Sequence, residues 1–354
     1  MAQARNKESR TILITRFSAV GDIAMTIPLL YSLAATYPMH RFVLVSRKRF
    51  GQFLINAPQN LLFRGVEPDN YKGVFGLYRL YKELNEEYSP DSIADLHDVL
   101  RTKILRIFFS RGRRIEHIIK GRAEKRRLTC KYNKHKEQLT STFNRYRDVF
   151  TRLGLPFTPN FVSLFANKRG DISEFSEVLP AKGSDKWLGI APFARHKGKI
   201  YPIELMRRVV EILSKQKGLK IVCFGNGPQE ELVVNGWCRD FDNVISFIGK
   251  SNFNGELRLA SHLDAMLCMD SANMHIASLV NTPALSVWGA TSPLAGFLGW
   301  NQKTEDCIQL PIECRPCSIF GNRPCRYGDY RCMDIPPQKI ADIVINRLQL
   351  NNNG

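Results

Sequence analysis

The stretch TILITRFSAVGDIAMTIPLLYSLAATY, from Thr11 to Tyr37, decides the fold class. It opens with the apolar run TILI, which is typical of a strand buried on both faces of a parallel sheet. The segment PLLYSLAATY carries apolar residues at helical spacing and predicts a helix. Between the two lies a turn that contains Gly21 and Asp22. A strand, a tight turn and a helix in this order predict the first unit of an α/β fold with a parallel sheet.

The same alternation recurs in two series along the chain. RFVLVS and DSIADLHD predict further strands of the first series, and the polar stretch FANKRGDISEFSEVLPAKGSDK then interrupts the pattern. The second series has predicted strands at WLGIAPF, KIVCFG, NVISFIG, AMLCM and ALSVWG, with helical patterns between them. A chain of 354 residues is long enough for two domains.

We therefore predict two domains, each a Rossmann-like, doubly wound parallel sheet, facing each other across a cleft. The N-terminal domain is expected over residues 1–172, a linker over 173–185 and the C-terminal domain over 186–354. The last helix could pack back on the N-terminal domain.

Composition describes an ordinary globular protein, with 44% hydrophobic and 24% charged residues. No window of about 20 apolar residues predicts a spanning helix, so we expect a cytoplasmic protein. The net charge is +18, and the segment from Arg101 to Arg152 holds 17 Lys and Arg residues against four acidic residues. This segment favours an anionic partner, which could be nucleic acid, a phosphorylated glycolipid or an acidic membrane face. The alternative is a solvated basic face with no partner.

Candidate ligand-binding residues follow the predicted strands, because ligands of open parallel sheets lie beyond the carboxyl ends of the strands. Asp22 follows the first strand, where it could be a catalytic carboxylate or a helix cap. Taken alone, this turn favours the cap. Neither half contains G-x-G-x-x-G, which disfavours a nicotinamide dinucleotide as ligand.

The second half offers a phosphate site. Asp270 to His275 opens a helix, and the main-chain NH groups of Ser271 through Met274 suit a diphosphate. Lys199 lies in the loop after another strand, where a cation could neutralise a leaving phosphate. Glu230 or Glu231 could hold ribose hydroxyls. The alternatives are that Asp270 caps its helix, that His275 packs in the core and that Lys199 is a loop charge.

Four of the nine cysteines are clustered in CRPCSIFGNRPCRYGDYRC, at positions 314, 317, 325 and 332. Cys314, Cys317, Cys325 and Cys332 could form a structural zinc site, although their spacing is not that of a common zinc finger. The alternatives are free thiols or disulfides that form only on oxidation.

These motifs together resemble glycosyltransferase family 9, the lipopolysaccharide heptosyltransferases and their relatives. The resemblance rests on motifs that occur in the family's order, from Ile12 to about Ile340. They are S-x-x-G-D at Ser18–Asp22, K-x-[WY]-P at Lys199–Pro202, F-G-x-x-x-x-E at Phe224–Glu230, D-S-x-x-M-H-x-A-x-x-x-x-T-P from Asp270, and W-G-A-T-S-P from Trp288. The segment DLHDVLR, Asp95 to Arg101, also resembles the acceptor-side segment of the family.

The resemblance implies a GT-B architecture and inverting transfer of a heptose or related sugar. The expected donor is a nucleotide-sugar, typically ADP-heptose, and neither a cofactor nor a catalytic metal is expected. The expected acceptor is an anionic lipopolysaccharide core or lipid-linked precursor at the cytoplasmic side of the inner membrane, with peripheral association and no nucleic-acid partner. Two alternatives stay open, a basic nucleic-acid-binding protein and a GT-B nucleotide-sugar epimerase.

The resemblance also assigns roles by position. Asp22 would be the general base that takes the proton of the acceptor hydroxyl. The donor would be bound by Ser18, Gly21, Lys199, Glu230, Asp270, Ser271, Ala272 and His275. The acceptor would be bound by Asp95, His97 and Arg101. Ala272 stands where the family often has glycine, which puts a methyl group beside the phosphates.

Overall fold

The structure is a computed structural model that describes residues 9–350. Residues 1–8 and 351–354 of the two expected domains therefore lie outside the described part. The chain forms two parallel sheets of five and six strands. No helix in residues 9–350 is both long and apolar enough to cross a membrane.

Residues 9–152 form five strands and six α-helices. In chain order they are β1 (Thr11–Thr15), α1 (Val20–Ala24), α2 (Ile27–Thr36), β2 (Arg41–Arg47), β3 (Leu61–Val66), α3 (Gly73–Tyr88), β4 (Ser92–Asp95), α4 (Leu100–Phe109), β5 (Arg114–His117), α5 (Arg122–Leu128) and α6 (Thr142–Arg152). The first sheet has the strand order β3-β2-β1-β4-β5, and every neighbouring pair is parallel. The predicted strands at TILI, RFVLVS and DSIADLHD are confirmed.

The turn after β1 leads into two short helices. Pro28 lies in the first turn of α2, where its missing N–H is not needed. Helix α1 ends at Ala24 and α2 begins at Ile27, so Pro28 does not lie in a helix interior.

The second half forms the other sheet. Its elements are β6 (Lys186–Ala191), α7 (Ile203–Ser214), β7 (Leu219–Cys223), α8 (Pro228–Asp240), β8 (Val244–Ser246), α9 (Phe253–Ala260), β9 (Ala265–Met269), α10 (Ala272–Leu279), β10 (Ala284–Val287), β11 (Cys307–Ile308) and α11 (Pro337–Leu348). The strand order is β11-β10-β9-β6-β7-β8, again all parallel. All five predicted strands and the helices between them are confirmed.

The two compact units differ in extent from the expected boundaries. One unit holds the described residues up to Lys120 together with Thr142–Phe161, and the other holds Gly121–Ser141 and the residues from Val162 onward. Segment 121–141 belongs to the second unit because Leu128 and Leu139 join an apolar cluster with Ala295.

The expected linker and the last helix also pack within the second unit. Phe175, inside the expected linker, is buried and contacts Phe247 edge-on, with ring centroids 4.9 Å apart. The last helix, α11, packs against α7 and contributes Ile340 and Val344 to the core of this unit. Both segments are therefore parts of the second domain.

Candidate active site

Asp22 lies in α1, just beyond the carboxyl end of β1. Its Oδ2 is 2.6 Å from a guanidinium nitrogen of Arg16 and accepts a hydrogen bond from the backbone N–H of Ala19 at 3.1 Å. Arg16 is buried and also donates to the carbonyl oxygen of Leu96 at 2.6 Å. The side chain of Asp22 keeps 29% of its surface exposed. Asp22 therefore caps the first turn of its helix, pairs with Arg16 and remains partly exposed.

His97 lies beside this carboxylate as a neutral imidazole. Burial, reinforced by the positive charges of Arg16 and Lys120, lowers the pKa of His97 to about 3. The backbone N–H of Phe17 donates to Nδ1 at 3.4 Å, so the ring proton belongs on Nε2. Nε2 is 3.3 Å from Oγ of Ser18, to which it donates. His97 thus orients the hydroxyl of Ser18 at the same turn as Asp22.

Asp95 is inaccessible in the structure. Its side chain is completely buried, and Oδ1 accepts hydrogen bonds from Oγ1 of Thr15 and the backbone N–H groups of His97 and Asp98, at 3.1, 2.9 and 3.0 Å. Oδ2 is 3.4 Å from Nε of Arg106. These contacts make Asp95 a positioning residue for the loop that carries His97, rather than the expected direct acceptor contact.

Gly21 is next to Asp22 in the chain, and Arg101 lies near His97. Gly21 is inside α1, directly before Asp22. Arg101 is in the first turn of α4, close enough for its charge to lower the pKa of His97. The donor-binding role of Gly21 and the acceptor-binding role of Arg101 stay predictions.

The second sheet carries an ion pair at its carboxyl edge. Nζ of Lys199 is 2.8 Å from Oδ2 of Asp270, and both side chains are largely buried. Asp270 directly follows β9 and donates its backbone N–H to the carbonyl of Val287 on the neighbouring strand, at 3.1 Å. The pair therefore places an ammonium group beside the start of α10.

Two hydroxyl groups at this edge are buried without a hydrogen-bond partner. Within the described residues, neither Oγ of Ser271 nor Oγ1 of Thr291 has a partner. Ser271 is the N-cap residue of α10 but makes no capping hydrogen bond, and Thr291 lies in the turn after β10, the strand next to β9. Because buried hydroxyls nearly always have partners, these two groups are available to donate to a polar ligand.

The remaining predicted donor residues lie around this edge. Glu230, in the first turn of α8, accepts the backbone N–H of Asn226 at 2.6 Å, and burial raises the pKa of its carboxyl group. Ala272 is the first residue of α10, and His275 is buried one turn further on. Their contacts with a nucleotide stay predictions.

Arg315 is a residue that the sequence did not single out. Its buried guanidinium donates to the carbonyl oxygens of Gly289 and Thr291 at 2.5 and 3.0 Å, and to that of Leu310 at 2.6 Å. It thereby fixes the turn that follows β10. The turn also donates the N–H of Ala290 to the carbonyl oxygen of Gly198 at 2.8 Å, which ties it to the loop of Lys199. No local pattern distinguishes this arginine from the surface arginines around it.

The cysteine cluster does not form the expected zinc site. All nine cysteines are free, and in residues 9–350 no three His, Cys, Asp or Glu side chains come together as a metal site. The four thiols are still neighbours: burial and the charges of the other three cysteines together raise the pKa of Cys332 to about 11, against the opposing charge of Arg315. Hydrogen bonds to backbone carbonyls hold this loop, including those that Nζ of Lys134 donates to the carbonyl oxygens of Cys314 and Pro316.

Comparison with known proteins identifies the class. Residues 77–328 match the profile of glycosyltransferase family 9 (heptosyltransferase). Lipooligosaccharide heptosyltransferase 2 of Haemophilus influenzae is 25% identical over 301 residues, covering 80% of this chain and 84% of the relative. The glycosyl transferase family 9 structure from Veillonella parvula aligns with a TM-score of 0.74 at 17% identity, over 98% of this chain and 99% of that one. The E. coli heptosyltransferase WaaC, solved with ADP, aligns with a TM-score of 0.65 at 17% identity, over 95% and 99% of the two chains.

The chain belongs to glycosyltransferase family 9, because the family profile covers more than half of it. The predicted family and enzyme class are confirmed, and the protein is a glycosyltransferase. The two parallel-sheet domains are those of the GT-B fold, as predicted. Family membership decides against the nucleic-acid-binding and epimerase alternatives.

Proposed function

We propose that the protein transfers a heptose from ADP-heptose to a lipopolysaccharide-core or lipid-linked acceptor, with inversion at the anomeric carbon. The observation that carries this proposal is the pair of buried hydroxyl groups of Ser271 and Thr291, which lack partners within the described residues. Ser271 is the N-cap residue of α10, next to the ion pair of Lys199 and Asp270, and Thr291 lies in the turn after the neighbouring strand β10. A diphosphate bound at this edge would supply the acceptors. The relative solved with ADP supports adenosine as the nucleoside.

The donor end of the reaction requires stabilisation of a leaving diphosphate. As the bond between the anomeric carbon and the phosphate oxygen breaks, its electron pair leaves with ADP. Lys199 and the first backbone N–H groups of α10 would stabilise this growing negative charge. The ion pair with Asp270 holds the ammonium group in place before the donor arrives.

The acceptor end requires a base. Asp22 would accept the proton of the acceptor hydroxyl as its oxygen bonds to the anomeric carbon. A carboxylate is a weak base for a free alcohol, but the hydroxyl becomes acidic as the new bond forms. The carboxylate also stabilises positive charge on the sugar ring in the transition state. Its ion pair with Arg16 fixes the direction of the carboxylate.

The neighbouring loop would bind the two substrates. The neutral His97 fixes the hydroxyl of Ser18, which we propose to contact the donor phosphates together with Gly21. His97 and Arg101 would contact the anionic acceptor.

Glu230 would hold the nucleoside, and Ala272 and His275 would complete the donor pocket. We propose no metal or cofactor in this scheme, since protein groups supply the positive charge.

The acceptor class also suggests a location. A lipid-linked acceptor would require the enzyme to work at the cytoplasmic face of the inner membrane, held there peripherally. The high positive charge of +18 is consistent with attraction to an anionic surface.

A transfer assay tests the proposal. The purified protein is incubated with ADP-heptose and a core acceptor that lacks heptose, with UDP-glucose and ADP-glucose as control donors. We expect a product one heptose heavier by mass spectrometry, formed only from ADP-heptose. Equal transfer from the control donors would contradict the proposed specificity.

A further inference from the structure

The outer faces of α3 and α4 expose an unusual number of apolar side chains. Phe75 is 92% exposed, Val74 56% and Tyr78 45% on α3, while Leu100 is 75% and Ile107 68% exposed on α4. Single exposed apolar residues are common, but five on two neighbouring helices form a patch that calls for a partner.

These residues belong to one surface. The helices are packed side by side, with the rings of Tyr78 and Phe108 in edge-on contact at 5.4 Å between centroids. Their inner faces cover the same side of the first sheet, where Leu77 and Leu105 share one core cluster. Their outer faces therefore form one continuous area, which we call the α3–α4 surface.

The α3–α4 surface reaches the edge of the sheet that carries Asp22. In a parallel α/β unit each helix runs opposite to its strands, so its N-terminus lies at their carboxyl edge. Val74 and Phe75 are in the first turn of α3, and Leu100 is the first residue of α4. Leu100 follows His97 by three residues. The most exposed apolar groups of the α3–α4 surface thus lie at the same edge of the first sheet as the turn that carries Asp22.

Cations surround the apolar patch. The surface cations of the two helices and their flanks are Lys72, Arg79, Lys82, Lys103 and Arg111. Lys72 and Lys103 form long ion pairs with Asp69 and Asp98, at 3.9 and 3.8 Å. The acids of α3 lie toward its C-terminal end, where Glu83 and Glu87 each pair with Arg64 at 3.3 Å. Near the turn that carries Asp22, the surface is therefore apolar and carries exposed lysines whose nearest acidic partners are 3.8 Å or more away.

We propose that the α3–α4 surface docks on an anionic lipid bilayer, with Phe75, Val74 and Leu100 inserted at the headgroup boundary and the lysines on lipid phosphates. This inference rests on the proposed function, since a lipid-linked acceptor would then enter the site from the bilayer. Aromatic and aliphatic groups with Lys and Arg around them are the composition of membrane-surface helices. Protein interfaces are instead depleted in lysine.

Vesicle sedimentation tests the surface directly. Wild-type protein and the variant Phe75→Ala/Leu100→Ala are mixed with phosphatidylcholine vesicles, with or without phosphatidylglycerol. We expect wild type to bind the anionic vesicles and the double variant to bind at least about tenfold more weakly, because two large apolar groups are lost. Lys72→Gln/Lys82→Gln should weaken binding by about fivefold per lysine.

Leu232→Ala is the matched control, because Leu232 is 70% exposed on α8 in the second unit. It should bind vesicles as wild type does, and all variants should keep the thermal midpoint of wild type. Equal vesicle binding by Phe75→Ala/Leu100→Ala would overturn the proposal. Lipid-free self-association that this variant abolishes would also overturn it, in favour of a second copy as the partner.

Activity separates this inference from the proposed function. Phe75→Ala/Leu100→Ala should keep the wild-type rate on a detergent-free, delipidated core saccharide and lose most of its rate on acceptor embedded in vesicles. Equal losses on both acceptors would contradict the docking role. Failure of wild type to transfer heptose to either acceptor would refute the proposed function, while vesicle binding would still test the surface.

Discussion

Asp22 shows that one residue can serve as a helix cap and still remain exposed. Its carboxylate accepts the N–H of Ala19 and pairs with Arg16, yet over a quarter of the side chain is exposed, at 29%. The position after β1 was predictable from the strand and the turn. The partner Arg16 was not, because nothing in the local sequence shows that this arginine is buried.

His97 leads to a prediction about stability and pH. The pKa of folded His97 is lowered to about 3, whereas an unfolded histidine has a pKa of about 6.5. Between these values the unfolded chain binds a proton that the folded chain does not. His97 therefore makes the free energy of unfolding fall as pH drops, by up to about 1.4 kcal/mol per pH unit.

In urea unfolding between pH 6.5 and 4, wild type should consequently lose more stability than His97→Gln. Glutamine keeps a donor and an acceptor but does not titrate. Parallel stability curves for the two proteins would show that His97 is not held neutral.

Lys199→Ala should weaken ADP binding about tenfold or more, because a charged hydrogen bond to phosphate is lost. Isothermal titration calorimetry measures this effect. Lys197→Ala is the matched control, since Lys197 is an exposed lysine two residues away. Unchanged ADP affinity in Lys199→Ala would remove Lys199 from the donor site.

At the scale of elements, the carboxyl edge of the second sheet depends on loops that contact one another. The turn after β10, the loop of Lys199 and the cysteine loop meet through the contacts of Arg315 and Ala290. The strands and helices that present these loops were predictable from periodicity. The contacts between these loops were not, because they join residues far apart in the chain: Arg315 and Gly289 are separated by 26 residues, and Gly198 and Ala290 by more than 90.

Gly289→Ala should destabilise the protein by about 1–3 kcal/mol, as overpacking does. A Cβ atom at Gly289 would lie 2.2 Å from Cε of Met333 and 2.8 Å from the carbonyl oxygen of Gly198. Urea unfolding measures the change.

Gly236→Ala is the control for this substitution. Gly236 lies within α8, and its nearest contact would be a guanidinium nitrogen of Arg239 at 3.8 Å. Alanine there should be neutral or stabilising, since it favours the helix. Equal stability of the Gly289→Ala and Gly236→Ala proteins would mean that the turn after β10 is loosely packed.

At the scale of the whole molecule, the two-domain parallel fold followed from the alternation of strands and helices. Segment 121–141 was the main departure, because it leaves the sequence region of the first unit to pack with the second. Contacts such as the hydrogen bond from Leu139 N–H to the carbonyl of Leu294 decide this placement. The exposure of Phe75 was not predictable either, because the helical spacing of the apolar residues in α3 does not show which of them stay outside the core.

The basic segment from Arg101 to Arg152 is divided between the two units. Its residues up to Lys120 and from Thr142 belong to the first unit, and α5 with its neighbours belongs to the second. The positive charge between Arg101 and Arg152 is therefore not one surface of one domain. Of its cations, Lys103 on α4 and Arg111 just after α4 contribute to the α3–α4 surface.

The central claim is that Asp22 takes the proton of the acceptor hydroxyl, and steady-state transfer from ADP-heptose by Asp22→Asn tests it most directly. We predict that kcat falls by about 10²- to 10⁴-fold, as for the loss of a general base. ADP affinity by calorimetry and the thermal midpoint should stay close to those of wild type, which excludes a folding defect. A kcat within about tenfold of wild type would contradict the role of Asp22.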